Sequence, residues 1–313
     1  MADIVTTLPL PAEALALLRG AGEVRGPEGW EAWLGDAAAL LPLLTVRVDA
    51  ALLERAPRLR VVACPTVGHD HVDLAACRAR GIVVTHTPDV LTEATADLAW
   101  ALILATVRRL PQAERSLRAG EFHGWGFWDY LGGDLTGRTL GILGMGRIGR
   151  AVARRAAGFG MRVRYASRTR LPEPEERALA AEWTDWDELL AASDVLTLHA
   201  PLTPETRHLL DAAALGRMRP GSVLVNTARG PLVDEAALAD VLREGRLAGA
   251  GLDVYEHEPA VHPALLELPG VVLLPHVGSA TRDTRTRMAM LAARNAHAVL
   301  TGAAPPTPVG GAR

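Results

Sequence analysis

The sequence predicts an α/β protein of two doubly wound domains with parallel sheets, the first of them discontinuous. Three observations carry this. Length is the first: 313 residues suffice for two domains of ordinary size. Alternation is the second. Short β-rich runs and helical stretches take turns along the chain, which is the mark of βαβ units. The third is the placement of two long helices. One over Thr92–Val107 leads out of the first hundred residues, and one over Arg282–Leu300 leads back. The boundaries that follow are 1–97 with 283–313 for one domain and 98–282 for the other.

In the first domain the strand candidates are residues 3–6, 43–47, 59–63 and 82–85, with helices over 12–18, 50–55 and 73–80 between them. In the second, Thr139–Leu143 (TLGIL) reads as a buried strand. Residues 147–157 follow as a helix with small and apolar residues on one face, and Arg162–Ala166 as the next strand. Residues 194–198, 222–226, 250–254 and 271–274 read as four more strands. Helices over 186–191, 212–218 and Glu235–Arg243 separate them. The last stretch, 302–313, is rich in Pro and Gly and reads as frayed.

Composition narrows the chemistry. Hydrophobic residues make up 49% and charged residues 22%, the balance of a soluble globular chain. A net charge of -3 argues against a nucleic-acid partner, which asks for a basic excess. All 33 basic side chains are arginine, and lysine is absent. That removes pyridoxal-phosphate, Schiff-base and Walker-type chemistry, each of which needs a lysine amine. Cys64 and Cys77 form no CxxC pair, so neither a disulfide framework nor a cysteine zinc site is expected. Residues 1–10 lack the pattern of a signal peptide. The longest uncharged apolar run, 98–107, covers about half a bilayer. A cytoplasmic protein with no membrane partner is the expectation.

Gly144-Met145-Gly146-Arg147-Ile148-Gly149 is a GxGxxG with a strand before it and a helix after it. The first glycine permits a tight turn, the second lets backbone approach a pyrophosphate, and the third lets helix and strand pack closely. The phosphates then rest on the amides and dipole of the helix N-terminus. A glycine-rich turn with no ligand is the alternative. The 98–282 segment is thus the dinucleotide-binding domain of a Rossmann-like fold, leaving the other to bind substrate. An acid closing the next strand would bind the ribose hydroxyls of NAD. Here the strand runs into Ser167-Arg168-Thr169-Arg170, and the first acid is Glu173. A hydroxyl and arginines suit a 2′-phosphate, which points to NADP. An NAD enzyme using backbone contacts, with Arg168 merely solvated, is the alternative.

Ligands of open parallel sheets bind beyond the carboxyl ends of the strands. Arg229, Glu258 and His276 fall there. An arginine holds a carboxylate in a bidentate fork. A histidine exchanges a proton near neutral pH, and a neighbouring glutamate favours its charged form. Together they make a proton-transfer site for a carbonyl substrate bearing a carboxylate. The cluster Gly68-His69-Asp70-His71-Val72-Asp73 invites a metal reading, but it lies at a strand-to-helix junction where Asp caps helices. No metal is expected.

In order along the chain stand Val67-Gly68-His69-Asp70, Thr87-Pro88-Asp89-Val90-Leu91-Thr92-Glu93-Ala94-Thr95-Ala96-Asp97 and the glycine loop. After them come His199-Ala200-Pro201-Leu202-Thr203, Asn226-Thr227-Ala228-Arg229-Gly230, Gly251-Leu252-Asp253-Val254, Glu258-Pro259 and Pro275-His276-Val277-Gly278-Ser279. In these the chain resembles the D-isomer-specific 2-hydroxyacid dehydrogenases over nearly its whole length, and within them the glyoxylate/hydroxypyruvate reductases. The resemblance implies that Arg229 binds substrate, His276 is the acid/base and Glu258 supports it. It implies that the amides of Val67 and Gly68 contact the substrate carboxylate. It further implies cofactor contacts at Thr95, Gly146 to Gly149, Ser167, Arg168, Thr169, Thr227, Ala228, Arg229, Asp253, His276 and Gly278. Such enzymes are usually homodimers through their nucleotide-binding domains. Their hydroxypyruvate reductases carry an arm and a selectivity tryptophan where Trp128 stands, in the aromatic stretch 124–130; simple interface packing is the other reading of that stretch.

The reading is an oxidoreductase that takes glyoxylate or hydroxypyruvate to the D-2-hydroxy acid with NADPH preferred and NAD possible. The chain departs from the NAD-using members in lacking the acidic ribose binder. No regulatory domain is expected after residue 313, which lowers the phosphoglycerate reading. Another D-2-hydroxyacid dehydrogenase of phosphoglycerate or lactate type stays open. So does a dinucleotide-sensing binding protein, as some corepressors resemble this family.

Overall fold

The computed structural model describes residues 2–310. The chain divides into two compact units, parting between Leu91 and Thr92 and again between Gly278 and Ser279. These cuts fall a few residues before those placed from sequence. The reason is the helix Thr92–Val107, whose buried Ala96, Ala99, Trp100, Leu102 and Ile103 all pack with Leu140, Ile142, Val223 and Val225 of the second unit.

The first unit holds five parallel strands: β1 (Ala2–Thr6), β2 (Gly22–Arg25), β3 (Ala37–Leu41), β4 (Val61–Ala63) and β5 (Val83–Thr85), ordered β2-β1-β3-β4-β5. Alternation along the strands builds two faces. Ile4, Ala39, Leu41, Val61 and Ala63 pack against Ala292, Ala293 and Ala296 of the returning helix Arg282–Leu300. Val5, Leu40, Val62 and Val84 face Leu52, Leu53 and Cys77 on the other side. Residues 43–47, read as a strand from sequence, are a turn. The strand is Ala37–Leu41, all five residues buried; its alanines gave a weaker β signal than the Leu-Thr-Val run beyond it. Nor are residues 302–310 frayed. The Val309 amide donates to the Val84 carbonyl at 2.8 Å, and Pro308 bridges Thr85 antiparallel. Residues 311–313 lie outside the described chain.

The second unit has seven parallel strands: β6 (Thr139–Leu143), β7 (Arg162–Ala166), β8 (Ala181–Trp183), β9 (Val195–Leu198), β10 (Val223–Asn226), β11 (Gly249–Leu252) and β12 (Val271–Leu273). Their order is β12-β11-β10-β9-β6-β7-β8. The chain winds one way from β6, then returns to start again at β9, so β6 and β9 flank the switch point where such sheets bind ligands. Leu140, Ile142, Val163, Tyr165 and Val225 point to one helical layer; Leu196, Leu198, Leu224 and Leu252 point to the other. β2, β8 and the helices Leu110–Arg118, Glu173–Leu179 and Pro263–Glu267 were not read from sequence. All are short, and the first two are edge strands with exposed positions that break the alternation.

Candidate active site

The turn between β6 and the helix Arg147–Ala156 is shaped by its glycines. Gly144 has φ +91°, and a Cβ there would lie 2.7 Å from the Ala200 nitrogen. A Cβ on Gly149 would stand 2.1 Å from the Gly144 carbonyl oxygen. Gly146 differs: nothing lies within 4 Å of where its Cβ would be. No side chain caps the helix at Gly146, so its positive dipole end can take the phosphates of a ligand. Ile148 packs its side chain against the core. Beyond β10, Thr227 buries a hydroxyl that has no partner among the described residues. An open glycine, an uncapped helix start and an orphaned hydroxyl along one sheet edge fit a nicotinamide dinucleotide. Behind the loop, His199 follows β9, and burial pushes its imidazole down to about 3. It stays neutral and shares a hydrogen bond with the Thr197 hydroxyl at 3.0 Å.

After β7 the Ser167 hydroxyl donates to the Thr169 carbonyl at 2.7 Å and closes the turn. The two arginines there are not equivalent. Arg170 donates twice to Glu176, at 2.9 Å from each nitrogen, and the Tyr165 hydroxyl donates to the same carboxylate at 2.6 Å. Those bonds, Arg170 first, hold the Glu176 carboxyl below the ordinary range. Arg168 is exposed and its charge reaches Glu205. The Glu205 carboxyl is held low by Thr203 first, then by its own amide and Arg168. Arg168 thus has a carboxylate within electrostatic reach. Glu205 lies 37 residues from Arg168 in the chain, beyond the reach of a local reading.

Three strand ends supply the remaining side chains. Asn226, 1% exposed, closes β10 and folds the loop after it. Its Oδ1 accepts from the Ala228 amide at 3.0 Å and its Nδ2 donates to the Arg229 carbonyl at 2.9 Å. Arg229 donates from Nη1 to the Ala228 carbonyl at 2.7 Å. At Gly230 a Cβ would lie 1.8 Å from the Tyr255 carbonyl carbon, so this backbone presses directly on the loop after β11. In that loop the Tyr255 amide donates to Glu258 Oε1 at 3.1 Å. Glu258 Oε2 pairs with His276 Nδ1 at 2.9 Å. His276 itself has φ +52°, a strained left-handed conformation for a residue with a side chain. Asp253 holds it there: its carboxylate accepts from the Val277 amide at 2.7 Å and the Gly278 amide at 2.8 Å.

The electrostatics follow. Burial pushes the Glu258 carboxyl up, but the hydrogen bond and charge of His276, with the Tyr255 amide and Arg229, hold it below the ordinary range. Asp253 goes the other way: burial raises it, and the amides and His276 offset this only in part. With Nδ1 on Glu258, Nε2 is the His276 nitrogen left to exchange a proton with a substrate.

The fold thus brings together Arg229, Glu258 and His276, as the strand-end argument requires. Thr95 is buried on the helix Thr92–Val107, its Cγ2 3.5 Å from where a Gly278 Cβ would lie. Val67 and Gly68 follow β4 in the first unit. Trp128 is 75% exposed, its ring edge-on to Phe127 at 4.8 Å. Sequence reasoning missed the shaping roles of Asn226 and Gly230. The signal was present: Asn226 is the one polar residue in the run Val223–Asn226. Among the described residues no group of three or more His, Cys, Asp or Glu is placed to hold a metal ion. No helix of the described chain is long and apolar enough to cross a membrane.

Residues 100–278 match the family model described as D-isomer specific 2-hydroxyacid dehydrogenase, NAD binding domain. A glyoxylate reductase of Thermococcus onnurineus is 47% identical, over 97% of this chain and 94% of its own. Among solved structures, a glyoxylate reductase from Paecilomyes thermophila superposes with TM-score 0.89 at 35% identity, covering 98% of each chain. An NADPH-dependent glyoxylate/hydroxypyruvate reductase from Sinorhizobium meliloti, in complex with NADP and malonate, gives 0.87 at 38%, covering 98% of this chain and 96% of its own. A strand-end His–Glu pair, a dinucleotide turn at the switch point and these matches lead to one conclusion: the chain belongs to the D-isomer-specific 2-hydroxyacid dehydrogenases.

Proposed function

We propose that this enzyme reduces glyoxylate and hydroxypyruvate to the D-2-hydroxy acids, with NADPH preferred over NADH. The observation that carries the reading is the 2.9 Å pair of His276 and Glu258 beside the Arg229 loop. Bound dihydronicotinamide supplies the hydride. Arg229 and the amides of Val67 and Gly68 hold the substrate carboxylate, and Arg229 also polarises the carbonyl oxygen. Protonated His276 gives its Nε2 proton to that oxygen as charge develops there, while Glu258 keeps the ring oriented and stabilises the imidazolium. Thr95, Gly144, Gly146 to Gly149, Ser167 to Thr169, Thr227, Ala228, Arg229, Asp253, His276 and Gly278 would hold the cofactor. The dinucleotide-sensing alternative needs neither the His–Glu pair nor its support. Steady oxidation of NADPH on adding glyoxylate tests the reading. A protein that binds NADPH and turns over none of a panel of 2-oxo acids refutes it.

The cofactor preference rests on Arg168. A guanidinium meets a 2′-phosphate with a planar fork of donors, while NADH offers only hydroxyls there. The site is exposed, which puts its worth at the low end for a charged hydrogen bond, about tenfold in KM. Arg168→Ala is expected to raise the KM for NADPH by about that factor and leave that for NADH nearly unchanged. Equal losses for both cofactors would assign the turn no role in the choice.

The aromatic stretch supports a homodimer. Trp125, Phe127 and Trp128 are 81%, 67% and 75% exposed in a chain with few aromatics, and such surfaces favour partner contacts. If Trp128 reaches the partner's site, Trp128→Ala shifts the glyoxylate-to-hydroxypyruvate ratio of kcat/KM. A variant that changes only the dimer dissociation constant assigns the ring to packing.

A further inference from the structure

Two histidines in the first unit converge on one backbone carbonyl. His86 Nδ1 lies 3.0 Å from the Val67 carbonyl oxygen and His69 Nδ1 lies 3.4 Å from it. The two rings meet edge to face at 5.6 Å. Next along, the Thr66 hydroxyl donates to the Gly68 carbonyl at 2.7 Å. Both carbonyls of the Val67-Gly68 pair are therefore held, whereas no acceptor among the described residues takes either amide. A trans peptide points its C=O and the next N–H in opposite directions. The Val67–Gly68 bond is trans, so holding the Val67 carbonyl fixes where the Gly68 amide aims. Donation to that oxygen also polarises the peptide and strengthens the amide as a donor.

His86 is itself fixed. Its amide donates to the Thr307 carbonyl at 3.2 Å, and its carbonyl accepts from the Thr307 hydroxyl at 2.6 Å and from Asn295 Nδ2 at 3.3 Å. Asn295 is fully buried, and its Oδ1 accepts from the Thr307 amide at 3.0 Å. The tail after the returning helix thus clamps residue 86, and residue 86 clamps the loop after β4.

We propose that His86, assisted by His69, is a positioning residue that aims the Gly68 amide at the substrate carboxylate. The inference rests on the reading above that this amide meets the carboxylate. His86→Leu removes the donor and is expected to raise the KM for glyoxylate roughly 3- to 10-fold, the worth of one net hydrogen bond. kcat and the KM for NADPH should stay near wild type. His86→Asn offers an amide N–H close to where Nδ1 stood, and should restore most of the loss. A His86→Leu variant with unchanged KM for glyoxylate, or an asparagine variant as impaired as the leucine one, overturns the proposal. Gly68→Pro deletes the amide N–H and separates the two readings. If it raises the KM for glyoxylate while His86→Leu does not, only the positioning role falls. If it keeps NADPH binding and leaves that KM unchanged, the amide reading itself is wrong. Should the proline variant lose NADPH binding as well, oxalate decides, since it presents the same carboxylate. Its inhibition constant must rise in His86→Leu by the factor seen for glyoxylate, and an unchanged constant sinks the proposal.

Discussion

His276→Ala is expected to lower kcat for glyoxylate by about 100- to 10,000-fold, the usual worth of a positioned acid. NADPH binding should be largely kept, because the glycine turn and Thr227 stand on other strands of the sheet. Survival of kcat within a few-fold would remove His276 from the chemistry. The companion variant Glu258→Gln reads the pair through pH. Reduction needs a proton on His276. Losing the carboxylate at 2.9 Å removes the group that orients the ring and stabilises its charged form. The pH profile of reduction should therefore shift to lower pH relative to wild type. An unmoved pH profile would assign Glu258 a purely structural role.

Gly230→Ala should be the most damaging change of a single methyl in the second unit. The added carbon would stand 1.8 Å from the Tyr255 carbonyl carbon and 1.9 Å from its oxygen. Both neighbours are backbone, so no rotamer change relieves the clash. The loop carrying Arg229 and the loop carrying Glu258 must separate, and His276 loses its orientation with them. Overpacking costs about 1–3 kcal/mol or more; the upper end corresponds to a fall in Tm of roughly 6–12 °C for a unit of this size. Misplacement by about 1 Å costs on the order of 100-fold in rate, so kcat/KM should fall further than stability alone would suggest. Wild-type melting and turnover in this variant would contradict the contact.

Much of this was legible in the sequence because it is local. TLGIL followed by GxGxxG carries its own geometry: a buried strand, a turn only glycine can make, and a helix start. Arg229, Glu258 and His276 could be grouped because strand ends in a parallel sheet share one edge. What was not legible depends on contacts distant in the chain. Glu205 comes near Arg168 only through the fold, and Gly230 meets Tyr255 across 25 residues. The strand Ala37–Leu41 hid because alanine has little β preference of its own, and burial on both faces decides its state. The tail 302–310 read as frayed from its prolines and glycines, yet Thr307 and Val309 find backbone partners that no local pattern announces.

The returning helix Arg282–Leu300 has a consequence for how the chain folds as it is made. Residues 92–278 are contiguous and can assemble as soon as they leave the ribosome. The first unit cannot. Ile4, Ala39, Leu41, Val61 and Ala63 lack their cover until Ala292, Ala293 and Ala296 have been synthesised. Residues made before the second unit are thus buried after it. Throughout elongation they present an apolar sheet face to water, the kind of surface that holding chaperones recognise and that aggregates when none is at hand.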